Sequence, residues 1–97
     1  MSILSGVMRE EYDRLNRIIA KVEQEINELP KGYISEKNIH GKKYYYLQYR
    51  EGDKVRSVYL KKGEVETHRD LIDRRNELME KLKELKEDCK KLERVLG

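Results

Sequence analysis

Between Lys37 and Tyr59 the chain gathers the side chains best suited to meeting a polyanion. Lys37, Lys42, Lys43, Arg50, Lys54 and Arg56 are interleaved with Tyr44, Tyr46 and Tyr59, and Gln48 lies among them. Ammonium and guanidinium groups neutralise phosphates and release their counterions. Phenol rings give bases a flat surface to stack on, and Gln and Arg can read base edges in a DNA major groove. These ten residues are therefore the expected contacts to DNA or RNA. A plainer reading competes: Tyr is a good strand former in cross-strand pairs, and Lys and Arg keep a small sheet soluble. The charge distribution gives the functional reading its weight. Residues 30–62 carry nine basic and three acidic side chains, against four and six in residues 1–29 and nine and ten in 63–97. The basic excess behind the net charge of +3 thus lies wholly in the middle third.

Other chemistries find little support. A single Cys excludes an internal disulfide, and Cys89 falls at a heptad position where a small buried residue is expected rather than a nucleophile. His40 and His68 stand in different segments, and no CxxC or HxxxH spacing offers a zinc site. Gly32, Gly41, Gly52 and Gly63 punctuate turns and joints instead of forming a phosphate loop. No enzymatic activity, metal or cofactor is expected.

Two long helices must hold the basic segment. Met8, Leu15, Val22 and Leu29 recur every seven residues, with Tyr12, Ile19 and Ile26 between them, and predict a helix over 5–29 with those sets at heptad positions d and a. Ile18 flanks this seam. Pro30 ends the helix, and Gly32 reads as a flexible joint. Leu71, Leu78, Leu85 and Leu92 form a second row, with His68, Arg75, Leu82, Cys89 and Leu96 at a, and predict a helix over 64–96. Its 33 residues would span about 50 Å. Val65, Ile72 and Met79 flank that row. His68 and Arg75 interrupt it, either as a polar site near the sheet or as residues that fix helix register.

Between the helices the period switches to two. Residues 33–39, 43–50 and 54–60 read as three strands, joined at His40-Gly41 and Gly52-Asp53. With those turns, Ile34, Tyr45, Leu47, Tyr49, Val58 and Leu60 share an apolar face, while Tyr33, Lys37, Tyr44, Tyr46, Gln48, Arg50, Val55, Ser57 and Tyr59 share the other. A one-residue slip at the second turn would exchange the faces of the third strand.

The expected fold is α+β: one domain over 1–97, an antiparallel helical hairpin with a three-stranded antiparallel meander inserted between its helices. A chain with 42% charged and 37% hydrophobic residues cannot bury a wide core, but it can bury a narrow seam. Disorder is the competing reading of so much charge, and the regular rows argue against it. Pairing the helices places Leu29 near Val65, Ile19 near Arg75, Tyr12 near Leu82 and Met8 near Leu85. Leu92 and Leu96 then overhang, with Ile3 and Leu4 available to cover them. Half-covered Ile18, Ile72 and Met79 suggest a homodimer, as a four-helix bundle. The stretch from Met1 to Met8 lacks the basic region and apolar run of a signal peptide, and nothing approaches a membrane span, so a soluble cytoplasmic protein is expected.

The stretches Gly32–Lys37, Gly41–Gly52 and Val55–Leu60 resemble a small prokaryotic domain of unknown function, frequent in mobile elements, with a similar Gly-x-Tyr-Tyr-Tyr-Leu core. The resemblance covers about a third of the chain and implies no activity. More loosely, the meander is similar to the arm-type DNA-binding domain of phage integrases, a three-stranded sheet followed by a helix. That likeness implies a DNA-facing role for Tyr44, Tyr46, Gln48 and Arg50, although two long helices and the lack of a recombinase domain depart from it. A phage or mobile-element origin would also suit an adaptor or inhibitor docking on a host nucleic-acid-processing protein.

Overall fold

The computed structural model describes residues 3–97; Met1 and Ser2, at the start of the stretch read for a signal peptide, lie outside the described residues. Helix α1 (Ile3–Glu28) is followed by strands β1 (Tyr33–Ile39), β2 (Lys42–Glu51) and β3 (Lys54–Leu60), and then by helix α2 (Glu64–Leu96). This is the expected α+β order, with an antiparallel sheet of strand order β1-β2-β3. The described residues form two compact units, one of residues 3–28 with 77–97, the other of residues 29–76.

In the first unit α1 lies antiparallel to the C-terminal part of α2. Leu15, Ile19 and Cys89 form its buried centre, with Tyr12, Leu82, Leu85 and Leu92 packed around them. The helix register differs from the expected one. The Tyr12 hydroxyl donates to Glu93 at 3.0 Å, and the Cys89 thiol points at Asn16 Oδ1 at 4.0 Å. Tyr12 therefore meets a residue eleven positions beyond Leu82, about three helical turns or ~16 Å. The cause is the first turns of α2, whose apolar side chains are occupied in the second unit. As a result Leu92 packs in the seam instead of overhanging, and Ile3, at 89% exposed, covers nothing; Leu4 is exposed as well.

In the second unit the sheet packs on the start of α2. Leu47, Leu60 and Val65 form the buried centre, with Ile34, Tyr45, Tyr49 and Ile72 around them. Val65 is thus a sheet contact and not a neighbour of Leu29, and Ile72 is part of this core rather than an uncovered flank. Each such aliphatic side chain contributes about 1.5–3 kcal/mol on leaving water. The row of α2 shifts accordingly. Leu78, Leu82, Leu85, Cys89, Leu92 and Leu96 keep the alternating four-and-three spacing and are buried or half-buried. Before Leu78 the covered positions are Val65, His68, Ile72 and Arg75, whereas Leu71 is 38% and Met79 46% exposed. The step from Arg75 to Leu78 is three residues where an unbroken heptad would need four, and it coincides with the change from one unit to the other.

Turn chemistry fixes the sheet. His40 and Gly41 both have positive φ, 52° and 80°, the signature of a two-residue type I′ hairpin turn. Between β2 and β3 only Gly52 has positive φ, at 60°, with Asp53 following, as in a type II′ turn. Gly32 is a close approach, not a hinge: a Cβ there would overlap the Gln48 carbonyl oxygen, and its φ is +103°. At the start of α2 the Glu64 carboxylate accepts from the Lys61 backbone N–H at 3.3 Å and the Glu64 N–H donates to the Lys61 carbonyl at 2.8 Å, closing the turn that leads into the helix.

Candidate nucleic-acid interface

Register sorts the strand residues onto two faces. Ile34 pairs with Leu47 and Leu47 with Val58, so these side chains share the inner face with Tyr45, Tyr49 and Leu60. Tyr46 pairs with Ser35 on one side and Tyr59 on the other, and Gln48 with Tyr33 and Ser57. The outer face therefore holds Tyr33, Lys37, Lys42, Tyr44, Tyr46, Gln48, Arg50, Val55, Ser57 and Tyr59. Both faces are as the alternation predicted, the third strand included.

The ten candidate residues are not all brought together. Lys37, Lys42, Tyr44, Tyr46, Gln48, Arg50 and Tyr59 lie on the outer face, whereas Lys43, Lys54 and Arg56 belong to the inner face by register. Two of the inner cations have carboxylate partners: Lys43 Nζ lies 3.3 Å from Glu36, and Arg56 Nε 3.3 Å from Glu51. Both links are diagonal cross-strand contacts, since Lys43 pairs directly with Asn38 and Arg56 with Tyr49. Glu36 and Glu51 are the only carboxylates within the strands, and both are on the inner face. The outer face thus carries three cations and no carboxylate among its strand residues, and no carboxylate pairs with Lys37, Lys42 or Arg50 among the described residues. The parity of Lys43 and Arg56 relative to Leu47 and Leu60 was the signal that could have separated them beforehand.

Aromatic packing organises the centre of the outer face. The Tyr59 ring sits 5.7 Å from Tyr46 in an edge-to-face arrangement and 6.4 Å from Tyr44, tilted by 50°. The Lys37 ammonium lies 5.0 Å from the centre of the Tyr46 ring, a cation–π contact. Tyr33, absent from the expected site residues, donates its hydroxyl to Gln48 Oε1 at 2.6 Å. Its cross-strand pairing with Gln48 was the clue to it.

Elsewhere the chemistry is sparse. The free thiol of Cys89 is buried, and desolvation, reinforced by Glu93 and Asp88, pushes it above the usual thiol range. It sits where a small apolar residue was expected. His68 Nδ1 lies 2.9 Å from the Glu64 carbonyl oxygen one turn back on its own helix. Among the described residues no cluster of three or more His, Cys, Asp or Glu could hold a metal ion, and no helix is long and apolar enough to cross a membrane.

Together these features define a helix–meander–helix protein with one basic, tyrosine-bearing sheet face free of acidic side chains. The chain belongs to the family described as Domain of unknown function (DUF6788), whose model matches residues 12–70, from α1 through the sheet into the first turns of α2. No curated protein and no solved structure matches it.

Proposed function

We propose that the protein is a non-enzymatic accessory factor that binds nucleic acid through the outer face of its sheet and self-associates through its helices. The observation that carries this reading is the segregation of charge: both strand carboxylates lie on the inner face, while Lys37, Lys42 and Arg50 surround the tyrosines of the outer one. Sheet solubility alone would be served by cations on either face with carboxylates among them. A polyanion needs a face without acidic side chains. Support for self-association comes from exposed apolar side chains on the helices, Ile3, Leu4 and Val7 on α1 and Val95 on α2.

The test is a set of charge reversals read by titration with DNA and RNA at low salt. Lys42→Glu and Arg50→Glu are expected to weaken binding on the order of tenfold each and to reduce the salt slope by about 0.7–0.9 per cation. Lys43→Glu and Arg56→Glu, whose native partners are carboxylates, are expected to stay within about twofold, the reach of an exposed pair. Absence of any binding at low salt would sink the reading. A monomeric mass by light scattering at high protein concentration would remove its self-association half.

A further inference from the structure

We infer that the outer face takes single-stranded nucleic acid, stacking unpaired bases on Tyr59 and its neighbours; the inference rests on the nucleic-acid reading above. Along β2 the outer row runs Lys42, Tyr44, Tyr46, Gln48, Arg50, about 27 Å from first to last at the usual rise per residue. Cations stand at the two ends and rings between them, with Tyr59 alongside on β3. That order suits a short strand whose phosphates meet Lys42 and Arg50 while its bases reach the rings. The length accommodates about four nucleotides, at the short end of known single-strand sites.

Two details favour unpaired bases over a duplex. In a duplex the base faces are already stacked and only their edges are offered, so a reader needs forked hydrogen-bonding groups. Gln48 has its fork partly committed: its carbonyl oxygen already accepts the Tyr33 hydroxyl at 2.6 Å, so a bidentate adenine contact would have to share that oxygen's second lone pair or break the hydrogen bond. Arg50 is left as the one outer residue with an uncommitted fork. The rings, by contrast, are set for stacking. Tyr59 is 52% exposed and packs against the rings of Tyr46 and Tyr44 on the neighbouring strand, so little side-chain freedom remains to be lost when a base arrives. Lys37 over Tyr46 adds positive charge beside the platform.

The experiment titrates the full chain with three labelled probes at low salt: a 12-nucleotide oligo-dT, the matching oligo-rU, and a 12-base-pair duplex. Either single strand is expected to bind at least tenfold more tightly than the duplex, with a salt slope of about −2 from three cations. Tyr59→Ala is expected to weaken single-strand binding by about tenfold to a hundredfold, the value of one stacked base, while Tyr59→Phe stays within about twofold because it keeps the ring. Circular dichroism checks the fold of each variant, and Tyr59→Leu, also without a ring, replaces the alanine variant should that one unfold. Equal or tighter duplex binding overturns the inference and leaves the nucleic-acid reading standing. Tyr59→Phe losing as much as Tyr59→Ala overturns it too, since the hydroxyl would then be the contact. If none of the three probes binds, the broader reading fails.

Discussion

The two faces of the sheet are made from the same three strands, yet they solve opposite problems. The inner face buries Leu47 and Leu60 against Val65 of α2 and places Lys43 and Arg56 beside Glu36 and Glu51. The outer face has no residue in its strands that is buried as a whole, carries no strand carboxylate, and spends its aromatic contacts on packing the half-exposed Tyr59 beside two neighbouring rings. A residue's charge alone therefore says little about its task here. What decides it is parity along the strand, because each step of one residue exchanges the face packed on α2 for the opposite one.

The two faces diverge most at Leu60 and Tyr59, neighbours in β3 that point to opposite sides of the sheet. Leu60→Ala is expected to cost about 2–4 kcal/mol in urea unfolding, because it empties the centre of the sheet core. Tyr59→Ala is expected to shift the same curve by no more than about 1 kcal/mol, the worth of the aromatic pairs it removes. Equal losses would mean that the outer rings are a second core and not a presented surface. A smaller effect is expected at Lys43→Gln, which removes the ion pair with Glu36 across two exposed side chains. Its cost should stay below about 1 kcal/mol in thermal melts and shrink further in high salt. A larger loss would give the inner cations a structural weight that their exposure argues against. The smallest effect concerns the turn that sets both faces at once. His40 holds a left-handed conformation that Asn adopts more readily in a type I′ turn, so His40→Asn is expected to raise stability by about 0.5 kcal/mol. A drop in stability would mean that the imidazole makes a contact that matters more than the backbone.

Much of this was legible in the residues. The switch from a seven-residue to a two-residue period located every element, and His40-Gly41 with Gly52-Asp53 set the register that sorts the faces. The helix pairing was not legible, for a geometric reason. A shift of eleven residues is almost three whole turns, so Leu82 and Glu93 approach from nearly the same side of α2, and periodicity cannot choose between them. The choice is made by Val65 and Ile72, which looked like seam flanks and are claimed by the sheet. The role of Gly32 is hidden from the sequence for a similar reason: it depends on the Gln48 carbonyl, a neighbour distant in sequence. Likewise the division of the ten candidate residues followed from parity, but the ion pairs that make it meaningful are diagonal contacts visible only in three dimensions.

The strand order β1-β2-β3 leaves two outer strands, each with backbone donors and acceptors on one side that no neighbouring strand takes up. On β3 this edge is also apolar in places, with Val55 63% exposed and Val58 exposed as well. Such a border is a template on which further chains could assemble into aggregates. Lys54 and Arg56 interrupt that border, and Glu36 and Lys37 do the same on β1. The inner-face cations Lys54 and Arg56 thus have a bearing beyond the ion pair that Arg56 makes: charged side chains along an outer strand disfavour edge-to-edge pairing with the same strand of another molecule.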